Sequence, residues 1–425
     1  MPAPVFVAHH ARTGIAALNV ITAALGADPR TSAVPVRFAK DREALAEAIA
    51  AERDRGRQVI AGWSFYSTDF ARSADDLAWV RARTEGAGAI HLAGGVHATA
   101  EPEETLRAGF DRVAIGEGEA TITSVFAALL GGRDPWSGPG IARLDRDGRM
   151  ISHGPGERLP LDAYPAFNLA HRKFNAIEIT RGCVYACRFC QTPYMFKARF
   201  RHRSVGDVAA HARALREADL SYIRFVSPTS LSYGSEDTSV NLAAVEALLA
   251  AVREAMGPEG KIYFGTFPSE VRPEHVTAEA LRILRRYVDN DNLVIGAQSG
   301  SQRVLDATRR DHTVDDVIRA VTLCKEAGFG ANVDFLLGLP GETEEDRRLS
   351  LDLAERLASG GAKIHSHAFL PLPGTPLADR EPEALGEETA LAMARMESRG
   401  AMYGQWRRQV VAAEELVGRR RRRPR

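Results

Sequence analysis

Short apolar runs bounded by turn residues recur along this chain, with helical patterns between them, and this alternation is the strongest constraint on its fold. In the first block the runs are "VFVAHH" (5–10), "AVPVRF" (33–38), "QVIAGWS" (58–64), "AIHLAGG" (89–95) and "DRVAIGEGE" (111–119). Between them lie "GIAALNVITAALGA", "DREALAEAIAAERDRG", "SADDLAWVRARTEG" and "PEETLRAG", which read as helices. Strands joined through helices run parallel, and a parallel sheet is covered on both faces, so its strands are apolar throughout. Residues 1–132 are therefore expected to form an α/β, doubly wound, Rossmann-like domain. Ligands of such folds bind outside the carboxyl ends of the strands, where Gly94, Gly95, Gly116 and Gly118 fall.

Residues 133–173 are rich in Gly, Pro and Asp and predict a linker with one hairpin. From 174 the alternation resumes, with strands expected at "NAIEITRG", "YIRFVSP", "KIYFGTFP", "NLVIGAQSG", "GANVDFLLGLPGE" and "KIHSHAFLPLPG". Six strands with their helices predict a partial (β/α)6 TIM-type barrel over 174–378 rather than a complete eight-fold one. Residues 379–425 predict a helical C-terminal extension ending in the basic tail "GRRRRRPR", which reads as a solvated end.

Lys plus Arg and Asp plus Glu both number 55, so no global field points to nucleic acid or membrane. No run of eighteen apolar residues and no signal-like N-terminus is present, which predicts a cytoplasmic protein. Three of the four cysteines, Cys183, Cys187 and Cys190, crowd onto one loop after the strand "NAIEIT". A zinc site would want a second pair of ligands, and none exists. The fourth, Cys324, shares a helical apolar stripe with Val317, Ile318 and Val321, where cysteine is core filler. Three thiolates suit a four-iron cluster with one iron left open to a ligand. Three incidental loop cysteines, or a redox pair, are the other readings of this spacing.

The motif Cys183-Val-Tyr-Ala-Cys187-Arg-Phe-Cys190, with Phe189 before its last cysteine, resembles the signature of the radical S-adenosylmethionine (SAM) superfamily. "VIGAQSGSQRVLDATRRDHTVDDVIRAV" and "ANVDFLLGLPGETEED" resemble later barrel segments of the branch that includes methylthiotransferases and cobalamin-dependent members. The resemblance implies a 4Fe-4S cluster on the three cysteines, whose open iron chelates S-adenosylmethionine before reductive cleavage to a 5′-deoxyadenosyl radical. It implies that Phe189 and the backbone of Gly338, Leu339 and Pro340 flank adenine, and that Gln298 and Ser299 lie near the ribose or methionine end. "QSGS" stands where "ESGS" is common, and "FVSPTSLSYG" replaces the usual Gly-Gly-Glu, so Ser227, Thr229 and Ser230 are expected to receive the amino group.

"LAGGVHATAEPEETLRAGFDRVAIGEGEATI" resembles the last third of the cobalamin-binding domain found upstream of many such barrels. By that resemblance Ser64, Ser67, Gly94, Gly95, Gly116 and Glu117 line the cleft for the corrin's nucleotide tail. The ligating motif DxHxxG is broken, with Ala8 in place of Asp and Gly14 one residue too far from His10. No cobalt-ligating histidine is therefore expected, and His9 and His10 read as loop residues.

The resemblance implies a radical SAM enzyme that uses cobalamin to methylate an unactivated centre of a small-molecule or peptide substrate. Its electron donor would be a flavodoxin or ferredoxin. A cobalamin-independent radical enzyme (rearrangement, hydrogen abstraction or sulfur insertion) and a non-catalytic iron–sulfur sensor or electron-transfer protein are the alternatives. His365 and His367 face one side of their strand, and with no third ligand evident they read as core or substrate-contact residues. Tyr185, Tyr194 and Tyr233 lie near functional loops, with packing the plainer reading. The basic and aromatic "PYMFKARFRHRS" reads as a solvated, partly substrate-facing segment rather than a nucleic-acid groove.

Overall fold

In a computed structural model of the chain, which describes residues 2–11, 13–84 and 88–422, the five runs of the first block are strands. They are β1 (Pro4–His9), β2 (Val36–Ala39), β3 (Gln58–Ser64), β4 (Ile90–Gly94) and β5 (Arg112–Ala114), all parallel, in the order β2-β1-β3-β4-β5. Alternate residues of each strand enter different cores, which is why the runs are apolar throughout. Val5, Val7, Val59, Ala61 and Trp63 pack with Leu45, Ile49, Leu77 and Val80 on one face. Phe6, Ala8, Ile60 and Leu92 pack with Leu18, Leu25, Ile122 and Phe126 on the other. Each buried Val, Leu, Ile or Phe side chain here stabilises the unit by roughly 1.5–3 kcal/mol over its exposed state. The sheet reverses its strand order between β1 and β3, and their carboxyl ends form the crevice where doubly wound folds take ligands.

The stretch expected to be a linker belongs to this unit, which spans residues 1–175. Strands β6 (Ile141–Leu144) and β7 (Met150–Ser152) form an antiparallel hairpin that extends the sheet beyond β5. The Asp145 carboxylate builds the turn by accepting the N–H groups of Asp147 and Arg149. Ile141 and Ala142 are buried, so the hairpin completes the hydrophobic cover that β5 alone would lack. Further on, Leu161 and Tyr164 pack on Ala24, and Asn168 donates to the Thr22 hydroxyl at 3.0 Å.

The second unit, residues 176–425, carries β8 (Ile177–Glu178), β9 (Thr180–Arg181), β10 (Arg201–His202), β11 (Tyr222–Val226), β12 (Lys261–Tyr263), β13 (Asn292–Gln298), β14 (Gly330–Leu337), β15 (Lys363–Ala368) and β16 (Met402–Gly404). One parallel sheet runs β12-β11-β8 and another β13-β14-β15-β16, while β9 and β10 form a small antiparallel pair. The segment after β12 bridges the two sheets: Val294 N–H donates to the Gly265 carbonyl, Val271 N–H to Val294 and Gly296 N–H to Val271. The predicted partial barrel is present, with β8 and β16 at its two edges. β16 arises from the extension expected to be helical only. Three residues are too few to show a period, and their strand character comes from pairing with β15. The helices Val314–Glu326 and Glu344–Ser359 pack outside β13, β14 and β15 and start at capping boxes, Thr313 with Asp316 and Thr343 with Asp346. Cys324 is fully buried in the first of them, beside Val317 and Ala320.

Candidate active site

The chain leaves the first strands of the partial barrel at Gly182, whose φ of +82° is one that L side chains rarely adopt. A Cβ there would meet the Arg199 carbonyl oxygen at 2.2 Å. Cys183, Cys187 and Cys190 follow on one loop, the first two buried and the third half-buried, and all are free thiols. The loop is pinned from later elements. Arg188 N–H donates to the Thr308 carbonyl at 3.0 Å, the Arg188 guanidinium to Ala307 at 3.2 Å, and the Gln191 amide to Pro373 at 2.8 Å. Burial pushes the Cys183 thiol up to about 12 and raises Cys190 as well. Such thiols ionise only when a cation replaces their protons. A set of three soft donors on one shielded loop fits an iron–sulfur cluster.

Of the residues expected around S-adenosylmethionine, Phe189 and Leu339 meet in one apolar cluster with Val304, Leu336, Phe369 and Leu377. Gly338 N–H donates to Glu342 Oε2 at 2.6 Å, which fixes the turn into Pro340. Gln298 ends β13 after a register shift and is buried with φ at +70°, a backbone state that non-glycine residues hold only under constraint. Ser299 lies in a hydroxyl network: its Oγ is 3.1 Å from Ser350 Oγ, and Ser301 Oγ donates to Asp346 at 2.6 Å. Ser227 Oγ donates to the Thr229 carbonyl at 2.9 Å. The hydroxyls of Thr229, Ser230 and Ser232, by contrast, are buried without a hydrogen-bond partner. Buried polar atoms are rarely left so unless water or a ligand meets them, and hydroxyls of this kind fit a polar cofactor group.

Sequence reasoning missed a buried charged group beneath the cysteine loop. Arg310 reaches within 3.6 Å of Cys187 Sγ and donates to the Gly296 carbonyl at 2.6 Å. Glu270, Arg310 and Gln298 all crowd Gly296, where a Cβ would meet each of them at 2.8–3.0 Å. Burial raises the Glu270 carboxyl, with Arg310 opposing. Arg272 lies over the Tyr185 ring at 3.5 Å and bonds to Glu274 and to the Arg310 carbonyl. Tyr185 OH is 2.8 Å from His275 Nε2. His275 and His312 are lowered to about 4 and about 3, by burial first and then by these arginines, and are neutral. The only sequence signal was charge inside "PSEVRPEH" and "TRRDHT", two loops without periodicity.

In the first unit, Ser64 ends β3 opposite Gly94 of β4, and Gly116 N–H donates to Thr99 Oγ1 at 3.0 Å. Ser67 is buried with its Oγ 3.1 Å from His97 Nδ1, and Glu117 is buried near Arg158. Gly95 has φ at +90°, which L side chains rarely adopt, and a Cβ there would also press on Ser64 Oγ at 2.8 Å, so the backbone itself requires that glycine. Gly94 differs: a Cβ would meet nothing nearer than 3.7 Å, which leaves open approach at the carboxyl end of the sheet. This fits a ligand lying against β4. His9 closes β1 instead of lying in a loop; it is buried against Trp63 at 4.1 Å and lowered to about 4 by burial. His10 follows the strand, with Nε2 held by Asn19 Oδ1 at 2.8 Å.

Residues 177–354 match the sequence model of the Radical SAM superfamily. Those residues are a radical SAM domain. Over 289 residues the chain is 29% identical to tRNA-2-methylthio-N(6)-dimethylallyladenosine synthase of Paracoccus denitrificans, a match covering 66% of this chain and 60% of that protein. The same-named protein of a Jannaschia species is 30% identical over 57% of this chain and 50% of its own length. The chain thus spans about half to three-fifths of these curated relatives. Among solved structures, the radical SAM methyltransferase TsrM from Kitasatospora setae, with cobalamin and a 4Fe-4S cluster bound, superposes with a TM-score of 0.69 at 17% identity, over 89% of this chain and 74% of that one. The cobalamin-dependent radical SAM enzyme OxsB, with aqua-cobalamin bound, gives 0.64 at 16% identity, over 98% of this chain and 56% of that one. At such identities the likeness is one of fold, and it extends beyond the radical SAM domain to the first unit. Among the described residues no helix is long and apolar enough to cross a membrane.

Proposed function

We propose that the protein is a radical SAM enzyme that works with cobalamin to methylate an unactivated carbon or phosphorus of a small-molecule or peptide substrate. The observation that carries the reading is the set of three thiols on one loop at the carboxyl end of a partial barrel, together with the buried hydroxyls without partners that follow β11. A 4Fe-4S cluster on Cys183, Cys187 and Cys190 would supply the electron that cleaves S-adenosylmethionine, and cobalamin the methyl group. The chain's own residues bind and shield. Phe189 and Leu339 offer adenine an apolar wall that excludes water, with Gly338 and Pro340 shaping its edge. Thr229, Ser230 and Ser232 offer hydroxyl oxygens to an ammonium, and Ser227 holds their loop by its bond to the Thr229 carbonyl. Gln298 brings an uncharged amide to the same end of β13, and Ser299 positions it from behind through Ser350. Arg310 sets a positive charge beside Cys187.

In the first unit, the carboxyl ends of β1, β3, β4 and β5 form the cobalamin cleft in this reading, with Ser64, Ser67, Gly94, Gly95, Gly116 and Glu117 around it. Histidine ligation of cobalt is not part of it, because His9 is enclosed against Trp63 and His10 is bonded to Asn19. An external flavodoxin or ferredoxin would deliver the electron. Sulfur insertion without cobalamin is the second reading, favoured by the likeness to the methylthio synthases.

Anaerobic reconstitution with iron, sulfide and hydroxocobalamin, followed by gel filtration, separates the two. The proposal expects about four irons and one cobalt retained per chain, and 5′-deoxyadenosine formed from S-adenosylmethionine under reduction. Gly94→Val should remove the cobalt and leave the iron. Retention of iron without cobalt would transfer the reading to the cobalamin-free enzyme. Absence of 5′-deoxyadenosine above a cluster-free control, with several reductants, would favour an iron–sulfur sensor.

A further inference from the structure

Asp334 on β14 and His365 and His367 on β15 lie half-buried on one face of their sheet, and the register sets Asp334 directly opposite His365. This supplies the third donor that the sequence did not reveal. His365 Nδ1 lies 3.0 Å from Asp334 Oδ1 and 3.2 Å from His367 Nε2, and the three donor atoms fall within 4.8 Å of one another. Tyr403 of β16 stacks on the His365 ring at 4.6 Å, with the planes 10° apart, and holds its orientation.

Assigning donors and acceptors from their partners exposes a deficit. Gln409, in the helix Trp406–Arg421, accepts the Ala368 N–H through Oε1 at 2.9 Å, so its amide nitrogen faces His367 Nδ1 at 3.2 Å. A neutral imidazole that accepts at Nδ1 carries its proton on Nε2, and here that proton is aimed at His365 Nδ1. His365 Nδ1 must then be a bare acceptor. It and Asp334 Oδ1 become two lone pairs facing each other at 3.0 Å. The cluster is short of one positive charge. A proton on His365 Nδ1 would satisfy Asp334 but oppose the proton on His367 Nε2, whereas a metal ion draws on all three donors together. Donors about 2.1 Å from a tetrahedral ion sit roughly 3.4 Å apart, close to the spacing seen.

We propose that Asp334, His365 and His367 bind a divalent transition-metal ion, with at least one coordination position open to an oxygen of the substrate. The site uses none of the loop cysteines and does not depend on the cluster. For His367 to ligate through Nε2, its proton moves to Nδ1, and Gln409 turns its amide oxygen toward it at the cost of the Ala368 bond. Gln409 is therefore a positioning residue whose effect has a predictable sign. Gln409→Glu presents an acceptor without that exchange and should tighten the metal.

The test uses full-length protein with its iron–sulfur cluster reconstituted, washed with a mild chelator and dialysed against zinc. One zinc per chain is expected, with nitrogen and oxygen neighbours only by zinc-edge X-ray absorption. His365→Ala and Asp334→Asn should each weaken zinc at least tenfold without changing the iron per chain, and Gln409→Glu should strengthen it several-fold. Should either truncation unfold the chain, as circular dichroism would reveal, the sign of the Gln409→Glu effect decides alone. Sulfur neighbours, which would indicate capture by the loop cysteines, overturn the proposal. So does affinity indifferent to folded His365→Ala, or no zinc bound at all, in which case the array holds a proton.

Discussion

Replacing Arg310 by Met should make the iron–sulfur cluster harder to reduce. Its guanidinium lies 3.6 Å from Cys187 Sγ. At that separation, unit charges in an effective dielectric near 20 interact by roughly 4–5 kcal/mol. An electron added to the cluster spreads over several atoms, and Glu270 already offsets part of the positive charge, so about a third is a fair share. That is about 1.5 kcal/mol, on the order of 60 mV for a one-electron couple. The midpoint potential should therefore fall by some such amount. Arg310→Met alone also strands Glu270, so the double variant with Glu270→Gln is compared with Glu270→Gln alone, while Arg310→Lys should keep most of the wild-type value. Redox titration under argon, followed by electron paramagnetic resonance and normalised to iron per chain, measures the effect. An unchanged potential at full iron content, or a rise, would refute the reasoning.

Changing Cys183, Cys187 and Cys190 together to Ala should abolish iron binding, whereas Cys324→Ala should leave iron per chain unchanged, since Cys324 is buried on the apolar face of another element, the helix Val314–Glu326. Thr229→Val removes a buried hydroxyl without a partner, so the unfolding free energy by urea titration should hold or rise, by up to about 1 kcal/mol. S-adenosylmethionine should nevertheless bind about fivefold more weakly to that variant by equilibrium dialysis. Burial pushes the Glu342 carboxyl up to about 7 from an ordinary 4.5. Between those values the folded chain keeps a proton that the unfolded chain has released, so stability falls as pH rises from about 4.5 to 7, by up to roughly 3 kcal/mol, and then levels. Urea midpoints at pH 5 and pH 8 should show this drop in the wild type and a smaller one in Glu342→Gln.

The β/α alternation could be read in the sequence because a covered parallel strand is apolar along its whole length and bounded by turns. A hairpin within residues 133–173 was legible from their turn residues, but its pairing with β5, and the three residues of β16, were not, because so few residues carry no period and their pairing partners decide their state. The three cysteines were legible through spacing alone. Phe189 and Leu339 share one apolar cluster, whereas the Ser299 hydroxyl is engaged by Ser350, from a helix about fifty residues on, and nothing local to Ser299 announces that. Arg272 and Arg310 were invisible for a related reason: a charge in an irregular loop looks solvated until its burial is known. Asp334 escaped notice because only the register of β14 against β15 brings it to His365.

The ties on the cysteine loop carry a consequence for how the protein is made. Gln191 is held by the Pro373 carbonyl and Arg188 by Ala307 and Thr308, so the thiols gain their final setting from segments that leave the ribosome more than a hundred residues later. A nascent chain that has exposed only the motif presents three untethered sulfurs, and ordering that loop then falls to whatever binds it. Metal insertion is thereby biased toward the finished chain. Translation that stalls before Pro373 should yield a product that oxidises or scavenges stray zinc, and assembly factors would act to best effect after release from the ribosome.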